Sequence, residues 1–393
     1  MTLTNQVNYE CNSVNKRLVR NQEILKFIHA SDIHLGAAQY YNNQRSSDFI
    51  NAFQEILSLA KMHNVNFIIL GGDVFTSLEM LPGQLTKIIN IIKHFKHDTK
   101  GKIPIISIEG NHDIRKFSRG TRFTQRGQSW LKLIASLGLI ILLDADLEAQ
   151  PHDVFQPYNF ETKKGGKIQI KNAIIYGNRY VGQRPENLLT KIQIAIKKDR
   201  KLFTILIQHF GIEGQMENVP GVRLEKAGIL KDRVDYLALG HFHKQFILEN
   251  WIFNPGSSEA ASTIDSNYKR GVFMIEISGS TTFTKKIHII RLNNRKHQWK
   301  TIYFPKQIRS KHELYEFIIE RLKSSFKSKN FNETQINDEK TILYLVLKGK
   351  LPMTSCKINE KELSNRIAEE LPILYSRIYQ KFTNTLRSLE RYM

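Results

Sequence analysis

Short apolar runs alternate with helix-like spacing along the first 150 residues of the chain. A largely apolar run of about four to eight residues is typical of a buried strand, whereas apolar residues that recur every three or four positions indicate one face of a helix. The predicted strands are Leu25–Ala30, Phe67–Leu70, Ile105–Ile108 and Leu139–Leu143. The predicted helices cover residues 49–60, 85–95 and 130–137. This alternation predicts a sheet covered by helices.

The second half of the chain continues the same pattern. Further strands are predicted at Ala173–Tyr176, Leu202–Ile207, Tyr236–Leu239 and Val272–Ile277, and a helix is predicted at Pro185–Lys198. Two layers of sheet with flanking helices fit this order of elements. The fold class predicted from the pattern is therefore α/β.

A change of composition after about Phe304 predicts a domain boundary. Beyond it, Lys311–Phe326 has helical spacing, Thr341–Leu347 alternates like a strand, and Glu360–Glu370 has helical spacing again. These elements suffice for a small α/β domain. We therefore predict a polar extension at residues 1–23, a main domain at residues 24–303 and a small α/β domain at residues 304–393.

Composition adds a strong basic charge to this picture. The 393 residues include 58 Lys and Arg against 37 Asp and Glu, for a formal net charge of +21. Such a charge favours an anionic partner such as nucleic acid or an anionic membrane surface, although a generally lysine-rich proteome produces the same balance. A hydrophobic fraction of 41% is enough to build cores and argues against general disorder.

The cysteines and the longest apolar runs indicate where the protein resides. Cys11 and Cys356 lie far apart in the sequence, so a disulfide framework is not predicted. No apolar run reaches the roughly 18–20 residues of a membrane span, and no apolar segment follows Met1 as in a secretory signal. We expect a soluble cytoplasmic protein without a membrane partner.

Polar residues of metal-ligating type follow the ends of the predicted strands. Side chains at positions i and i+2 of an extended segment share a face, so a pair with this spacing can grip one cation. A lone pair of this kind is more often an ordinary polar surface or core feature, but five such blocks in order are not. The blocks are Asp32-Ile33-His34, Gly71-Gly72-Asp73, Gly110-Asn111-His112-Asp113, His209 and Gly240-His241-Phe242-His243.

The residue types in these blocks restrict the metal. Asp, Asn and His without a thiolate suit borderline metals such as Mn, Fe or Zn. Their repeated position at the carboxyl ends of strands is the usual location of a site in an α/β sheet. The sequence thus predicts a metal centre built from several strand ends.

The ordered blocks resemble the calcineurin-like metallophosphoesterase superfamily. The stretches FIHASDIHLG, FIILGGDVF, IEGNHD, TQRG and LALGHFHK followed by NPGS narrow the resemblance to the SbcD-type, or meiotic-recombination-eleven, double-strand-break repair nucleases of archaea and bacteria. The resemblance covers residues 25–300 and implies a β-sandwich flanked by helices. The unit after residue 304 matches the family's DNA-binding-like capping domain in position and pattern.

The resemblance also implies roles for individual residues. One metal would be held by Asp32, His34 and His243, the other by Asn111, His209 and His241, and Asp73 would bridge both. Two Mn²⁺ ions per chain are expected, with Fe or Zn as alternatives. His112 would be the catalytic histidine. Asp113 would orient it, unless its carboxylate only forms hydrogen bonds within the loop.

Two departures from the family pattern bear on activity. Thr76 stands where the family usually has a histidine that helps to seat the nucleotide, which leaves exonuclease proficiency open. The stretch between Asp113 and Thr124 is longer than usual and basic. Its cations would bind the DNA backbone, or else form a solvated basic loop; they are Arg115, Lys116, Arg119 and Arg122.

The function implied by the resemblance is a two-metal DNA endo/exonuclease that processes DNA ends in double-strand-break repair. The alternatives are a metallophosphoesterase for small nucleotides or phosphoproteins, and a metal-free scaffold of the same fold. The family implies a homodimer, for which the apolar stripe at Leu85–Phe95 is either the contact or plain core. It also implies an SbcC-type coiled-coil ABC ATPase as partner, and Thr383–Met393 is the expected start of the docking segment.

Overall fold

The chain forms two compact units, Met1–Asn293 and Asn294–Met393. The computed structural model describes residues 24–115, 127–182, 185–304, 308, 310–327, 340–349 and 358–382. The predicted polar extension at residues 1–23 and the segment Thr383–Met393 lie outside the described residues.

Two sheets and their covering helices make up the first unit. Its strands are β1 (Leu25–Ala30), β2 (Phe67–Leu70), β3 (Ile105–Ser107), β4 (Ile141–Leu142), β5 (Lys167–Ile170), β6 (Ala173–Gly177), β7 (Phe203–His209), β8 (Tyr236–Gly240), β9 (Phe246–Leu248), β10 (Ile252–Asn254), β11 (Gly271–Ser278) and β12 (Thr284–Arg291). Its helices are α1 (Asn43–Met62), α2 (Pro82–Asp98), α3 (Trp130–Ser136), α4 (Glu186–Ala195) and α5 (Leu224–Gly228). Each strand and helix predicted here from the apolar pattern is present; β1 and β2 have the predicted ends, and the ends of the others are shifted.

Both sheets are built around parallel strands. The first sheet has the order β12-β11-β1-β2-β3-β4, with β1 to β4 parallel and β11 antiparallel to its neighbours. The second has the order β5-β6-β7-β8-β10-β9, with β6, β7, β8 and β10 parallel. Parallel strands bring their carboxyl ends to one edge of a sheet, which gathers the residues that follow them.

The two sheets pack face to face through aromatic side chains. Phe27 and Phe67 of the first sheet stack with ring centroids 4.9 Å apart, and Tyr236 and Phe253 of the second stack at 4.1 Å. The edge of Phe27 meets Tyr236 at 5.3 Å and joins the layers. Alternate residues such as Ile28 point the other way, into the core under α1, α2 and α3. The predicted β-sandwich flanked by helices is thus confirmed.

The apolar stripe of α2 lies inside the first unit. Ile88, Ile92 and Phe95 are buried and pack in the same core as strands β1 to β3. Leu85 and Ile89 are half-buried against it. The structure therefore places three residues of the stripe in the core, and the dimer contact stays a prediction.

In its described residues, the second unit has a three-stranded parallel sheet and two helices. Its elements are β13 (His297–Tyr303), α6 (Lys311–Lys327), β14 (Thr341–Gly349), α7 (Glu360–Glu370) and β15 (Ile373–Phe382). The strand order is β13-β14-β15. The predicted domain bounds of 24–303 and 304–393 stay a prediction. β13 lies in the second unit, because it pairs along its whole length with β14. The apolar pattern did not predict β13, because its residues are exposed or half-buried except for Ile302, which is buried.

None of the helices in the described ranges is both long and apolar enough to cross a membrane.

Candidate metal centre

The predicted ligand residues follow the carboxyl ends of parallel strands from both sheets. The structure brings them together at one edge of the sandwich, as the end-of-strand positions predicted. They are Asp32 and His34 after β1, Asp73 after β2, Asn111 after β3, His209 at the end of β7, and His241 and His243 after β8.

Several of these residues hold an uncommon backbone conformation. Their φ angles are 50° at Asp32, 54° at His34, 50° at Asp73 and 84° at His241. Residues other than glycine rarely adopt positive φ, and each such residue costs free energy that the surrounding fold must offset. Strain of this kind concentrates at functional sites, where it aims side chains that a relaxed strand would point elsewhere.

Gly110 allows the loops after β2 and β3 to touch. A Cβ atom at this position would overlap the backbone nitrogen and the carboxylate of Asp73. The close approach lets the backbone N–H of His112 donate a 2.6 Å hydrogen bond to Asp73 Oδ1. The glycine in the third block is therefore needed to position the carboxylate of the second.

One group of donor atoms lies between β1 and β8. His34 Nε2 and His243 Nε2 are 3.1 Å apart, and Asp32 Oδ1 is 3.9 Å from His243 Nε2. The Asp32 carboxylate is itself held by Ser31 Oγ at 2.6 Å and by the backbone N–H of His241 at 3.1 Å. These three side chains, which the family resemblance assigned to one metal, form a cluster that could hold a cation.

A second group lies between β2, β3, β7 and β8. Asn111 Oδ1 is 3.1 Å from His209 Nε2 and 2.9 Å from His241 Nδ1, and Asp73 Oδ2 is 3.2 Å from His209 Nε2. Asp73, His209 and His241 form a cluster that could hold a second cation. The structure thus brings together the residues assigned to the other metal.

Hydrogen bonds on the far side of the imidazole rings fix which nitrogen faces the cluster. His209 Nδ1 donates to the carbonyl of Gly71 at 2.8 Å, so its Nε2 points toward Asn111 and Asp73. An imidazole nitrogen, an amide oxygen and a carboxylate oxygen then converge, and all are electron-pair donors. Either a proton or a metal cation must lie among them, and the donor set fits a divalent cation.

Asp265 plays the same part for the first cluster, and sequence reasoning missed it. Its Oδ2 accepts a 2.8 Å hydrogen bond from His243 Nδ1 and further bonds from the backbone N–H groups of Ala261 and Ser262. No motif marks Asp265, because it lies in a short turn 22 residues after its histidine. A signal is visible only in hindsight, as a buried carboxylate within a polar turn.

Neighbouring charges shift the pKa values of the histidines in the site. Burial alone would lower the pKa of His209, but the Asp73 carboxylate raises it to about 9. Burial likewise opposes the charge on His243, whose pKa Asp265 raises to about 9. Burial and the neighbouring His209 lower the pKa of His241 to about 3. The carboxylates therefore attract positive charge into this edge of the sandwich, as a cation site requires.

His112 lies beside the first cluster and is positioned by Thr76. Its ring meets that of His34 edge-on with centroids 4.7 Å apart, and its Nδ1 donates to the carbonyl of Thr76 at 3.1 Å. Burial lowers the pKa of His112, and the charge of the nearby Arg115 lowers it further. Thr76 stands where the family usually has a histidine, but its backbone carbonyl still makes a contact that positions His112.

The contacts of Asp113 differ from those expected of a residue that orients His112. Its carboxylate accepts hydrogen bonds from the backbone N–H groups of Phe75 at 2.7 Å, Gly110 at 2.8 Å and Val74 at 3.3 Å. It thus ties the loop after β2 to the loop after β3. The alternative of hydrogen bonding within the loops is the one that the geometry favours.

Of the four predicted DNA-binding cations, only Arg115 belongs to the described residues. It is half-buried, and among the described residues none accepts a hydrogen bond from its buried Nε. Lys116, Arg119 and Arg122 lie outside the described residues. Sequence reasoning also missed Tyr180, whose ring centroid lies 6.0 Å from those of both His209 and His241.

A sandwich of mixed sheets with two donor clusters at its edge is the arrangement expected of the metallophosphoesterases that the sequence resembles. Residues 25–245 match the calcineurin-like phosphoesterase family, and because this match spans more than half of the chain, the chain belongs to that family.

Individual relatives show more closely which proteins this chain is similar to. The DNA double-strand break repair protein Mre11 of Archaeoglobus fulgidus is 28% identical over 244 residues, which cover 60% of this chain and 50% of that protein. The protein of the same name from Sulfolobus acidocaldarius is 25% identical over 84% of this chain and 76% of its own length. That from Sulfurisphaera tokodaii is 24% identical over 91% of this chain and 81% of its own. The chain thus spans half of the first relative and most of the other two.

Proposed function

We propose that this chain is a two-metal-dependent DNA nuclease that processes DNA ends in double-strand-break repair. The observation that carries the proposal is the pair of donor clusters, with His112 bonded through its backbone to Asp73 of one cluster and in ring contact with His34 of the other. That the substrate is DNA is inferred from the names of the relatives.

The donor sets suggest how two cations would be held. Asp73 lies in one cluster, and its carboxylate affects the pKa of His34 in the other, so it is suited to be the shared ligand. Manganese is the metal we propose, and iron or zinc would suit the same donors. Bound divalent cations would neutralise the phosphodiester and provide a nucleophile at neutral pH. The proposed sets are Asp32, His34 and His243 for one cation and Asn111, His209 and His241 for the other.

His112 is the residue that we assign to the leaving group. Because its Nδ1 is committed to the Thr76 carbonyl, its Nε2 is the nitrogen that can act on substrate. It would hydrogen-bond a phosphate oxygen or exchange a proton with the departing 3′ oxygen. Asp113 supports this role indirectly, since it fixes the loop on which His112 is mounted.

Charge favours DNA over a small phosphoester. The chain carries a net charge of +21, and the half-buried Arg115 lies close enough to His112 to lower its pKa. A guanidinium with a buried N–H suits a phosphate next to the scissile bond. A chromosomal substrate would place the protein in the cytoplasm. By analogy with the family, we also propose a homodimer that works with an SbcC-type ATPase.

A nuclease assay with defined substrates tests the proposal. Purified, metal-stripped protein is incubated with end-labelled single-stranded, blunt duplex and hairpin DNA, with and without manganese. Cleavage should require manganese, stop with chelator and return when metal is added back. If the protein instead hydrolyses a small phosphodiester well and has no measurable affinity for DNA at low salt, the general phosphoesterase alternative replaces the nuclease.

The basic loop is tested through the salt dependence of DNA binding. Each neutralised phosphate contributes a slope of about −0.9 to log K against log salt for duplex DNA. A chain with Ala at residues 115, 116, 119 and 122 should show a flatter slope. The matched control removes four exposed lysines elsewhere in the first unit: Lys87, Lys93, Lys100 and Lys102. Equal slopes in the loop variant and the wild type would assign the loop to solvent.

A further inference from the structure

The ring of Tyr180 borders the cluster of Asp73, His209 and His241, which we call the second cluster. Its centroid lies 6.0 Å from those of both His209 and His241. The residue is half-buried, so part of its surface remains accessible to a ligand. Burial raises the pKa of its hydroxyl, and the charge of Asp73 raises it further. Tyr180 is therefore an accessible aromatic residue next to the proposed metal ligands.

Hydrogen bonds fix the segment that carries this ring. The backbone N–H of Tyr180 donates to the carbonyl of Glu109, in the loop after β3, at 2.7 Å. The side chain of Asn178 donates to the carbonyl of Arg179 at 2.8 Å and accepts a hydrogen bond from Gln208 of β7. The segment after β6 is thus held to the ends of two strands that also carry proposed ligands. A residue held in this way is pre-organised, so binding costs little conformational entropy.

Tyr180 and His112 lie beside different clusters. The ring of His112 meets that of His34, in the first cluster, with centroids 4.7 Å apart. Tyr180 instead lies against the histidines of the second cluster. A phosphodiester held by both clusters has one nucleotide on either side of its phosphorus. Since His112 is assigned to the leaving oxygen, the nucleotide that keeps the phosphate is the one that would reach Tyr180.

We propose that Tyr180 stacks on the base of the nucleotide that keeps the 5′-phosphate and so positions the substrate on the metal centre. The inference rests on the proposed phosphodiester hydrolysis, and it adds a residue that recognises the nucleoside part of the substrate. Every base has a π-face, so stacking on a tyrosine ring accepts any sequence. A phosphoester without a base would gain nothing from this ring. Tyr180 would therefore favour nucleotides over other phosphoesters.

Two monophosphates that differ in the base test the proposal without any mutation. Thymidine 5′-monophosphate and 2-deoxyribose 5-phosphate carry the same phosphate on the same sugar, and only the first has a base. Binding of each to the manganese-loaded full-length protein is measured by calorimetry. The nucleotide should bind more tightly, on the order of 5- to 150-fold, the usual effect of one stacked base. Equal affinity, or no binding of either compound, would overturn the proposal.

Variants then locate the stacking residue. Tyr180→Ala should lower the affinity for thymidine 5′-monophosphate to that for the base-free phosphate and leave the latter unchanged. Tyr180→Phe keeps the ring and should restore most of the affinity. The matched control is Phe160→Ala, which removes another accessible ring of the first unit, in edge contact with Tyr158 at 5.2 Å. Unchanged nucleotide binding in Tyr180→Ala, or an equal loss in the control, would refute the assignment.

A packing role is the competing explanation, because the ring lies against two proposed ligands. A residue that only supports His209 and His241 should affect manganese binding and both monophosphates alike. Titration of manganese into metal-stripped Tyr180→Ala should instead give the wild-type affinity. A loss of manganese affinity with equal losses for both monophosphates would overturn the proposal. If a thermal melt shows that the Ala variant is unfolded, Tyr180→Leu replaces it, since leucine fills the space without a π-face.

Kinetics separate this inference from the proposed nuclease. On single-stranded DNA with manganese, Tyr180→Ala should raise KM and leave kcat nearly unchanged, because stacking stabilises substrate and transition state alike. If the wild type binds the nucleotide through Tyr180 but cleaves no DNA, the nuclease proposal is wrong and the stacking site stands. If it cleaves DNA with manganese but binds both monophosphates equally, the nuclease stands and the stacking site is wrong.

Discussion

Replacing Asp265 by Asn should weaken metal binding while leaving the site folded. The carboxylate accepts a 2.8 Å hydrogen bond from His243 Nδ1 and bonds of 3.0 and 2.8 Å from the backbone of Ala261 and Ser262. Asparagine has the same shape and retains an acceptor oxygen for the backbone. What it lacks is the negative charge that makes the imidazole a better electron donor.

The size of the effect follows from the burial of the pair. The side chains of His243 and Asp265 keep only 18% and 3% of their surface exposed, so solvent screens their interaction little. Asp265 is also the main cause that raises the pKa of His243. Loss of such an outer hydrogen-bond partner typically costs about 10- to 100-fold in metal affinity, or about 1.4 to 2.7 kcal/mol.

Calorimetric titration of manganese into metal-stripped protein measures this change. The control is Asp235→Asn. Asp235 lies just before β8, whereas His243 follows the other end of that strand. Asp235 likewise accepts a hydrogen bond from a backbone N–H, that of Thr204 at 2.8 Å, and pairs with a cation, Lys198. Only the Asp265 variant should lose affinity. Wild-type affinity in that variant, or an equal loss in the control, would refute the reasoning.

Three further substitutions probe the centre. Asp73→Ala should leave the protein with less than its full metal complement by elemental analysis, and full metal content would contradict the shared role. His112→Ser should retain metal and DNA binding but lose about 10²- to 10⁴-fold in turnover, whereas unchanged rates would make His112 a packing residue. Gly110→Ala forces a methyl group onto the Asp73 carboxylate, so manganese affinity and Tm should fall together. A manganese affinity equal to that of the wild type would show that the loop accommodates the methyl group at little cost.

The sequence alone determined the layers and the candidate ligands for physical reasons that are local. Strands such as Leu25–Ala30 and Phe67–Leu70 are buried almost throughout, so they appear as largely apolar runs. The residue that ends a parallel strand lies at the site edge whatever the details of packing. Spacing of i and i+2 therefore sufficed to nominate Asp32 with His34 and His241 with His243.

Several of the elements missed by the pattern have side chains that face solvent or are short. β12 carries exposed and half-buried residues throughout, and β10 is three residues long. β13 escaped notice for the same reason, and it lies in the second compact unit. Pairing with a neighbouring strand, rather than its own apolar content, makes such a segment a strand.

Only the tertiary structure decided which residues support the ligands. Asp265 reaches His243, and Asp113 reaches backbone groups 38 and 39 positions away, because separate loops are folded onto one another at the edge of the sandwich. The positive φ angles of Asp32 and Asp73 likewise arise from the packing of those loops. A sequence pattern records which side chains a segment carries. Hydrogen bonds between distant loops depend on where the fold brings their atoms, which no local spacing encodes.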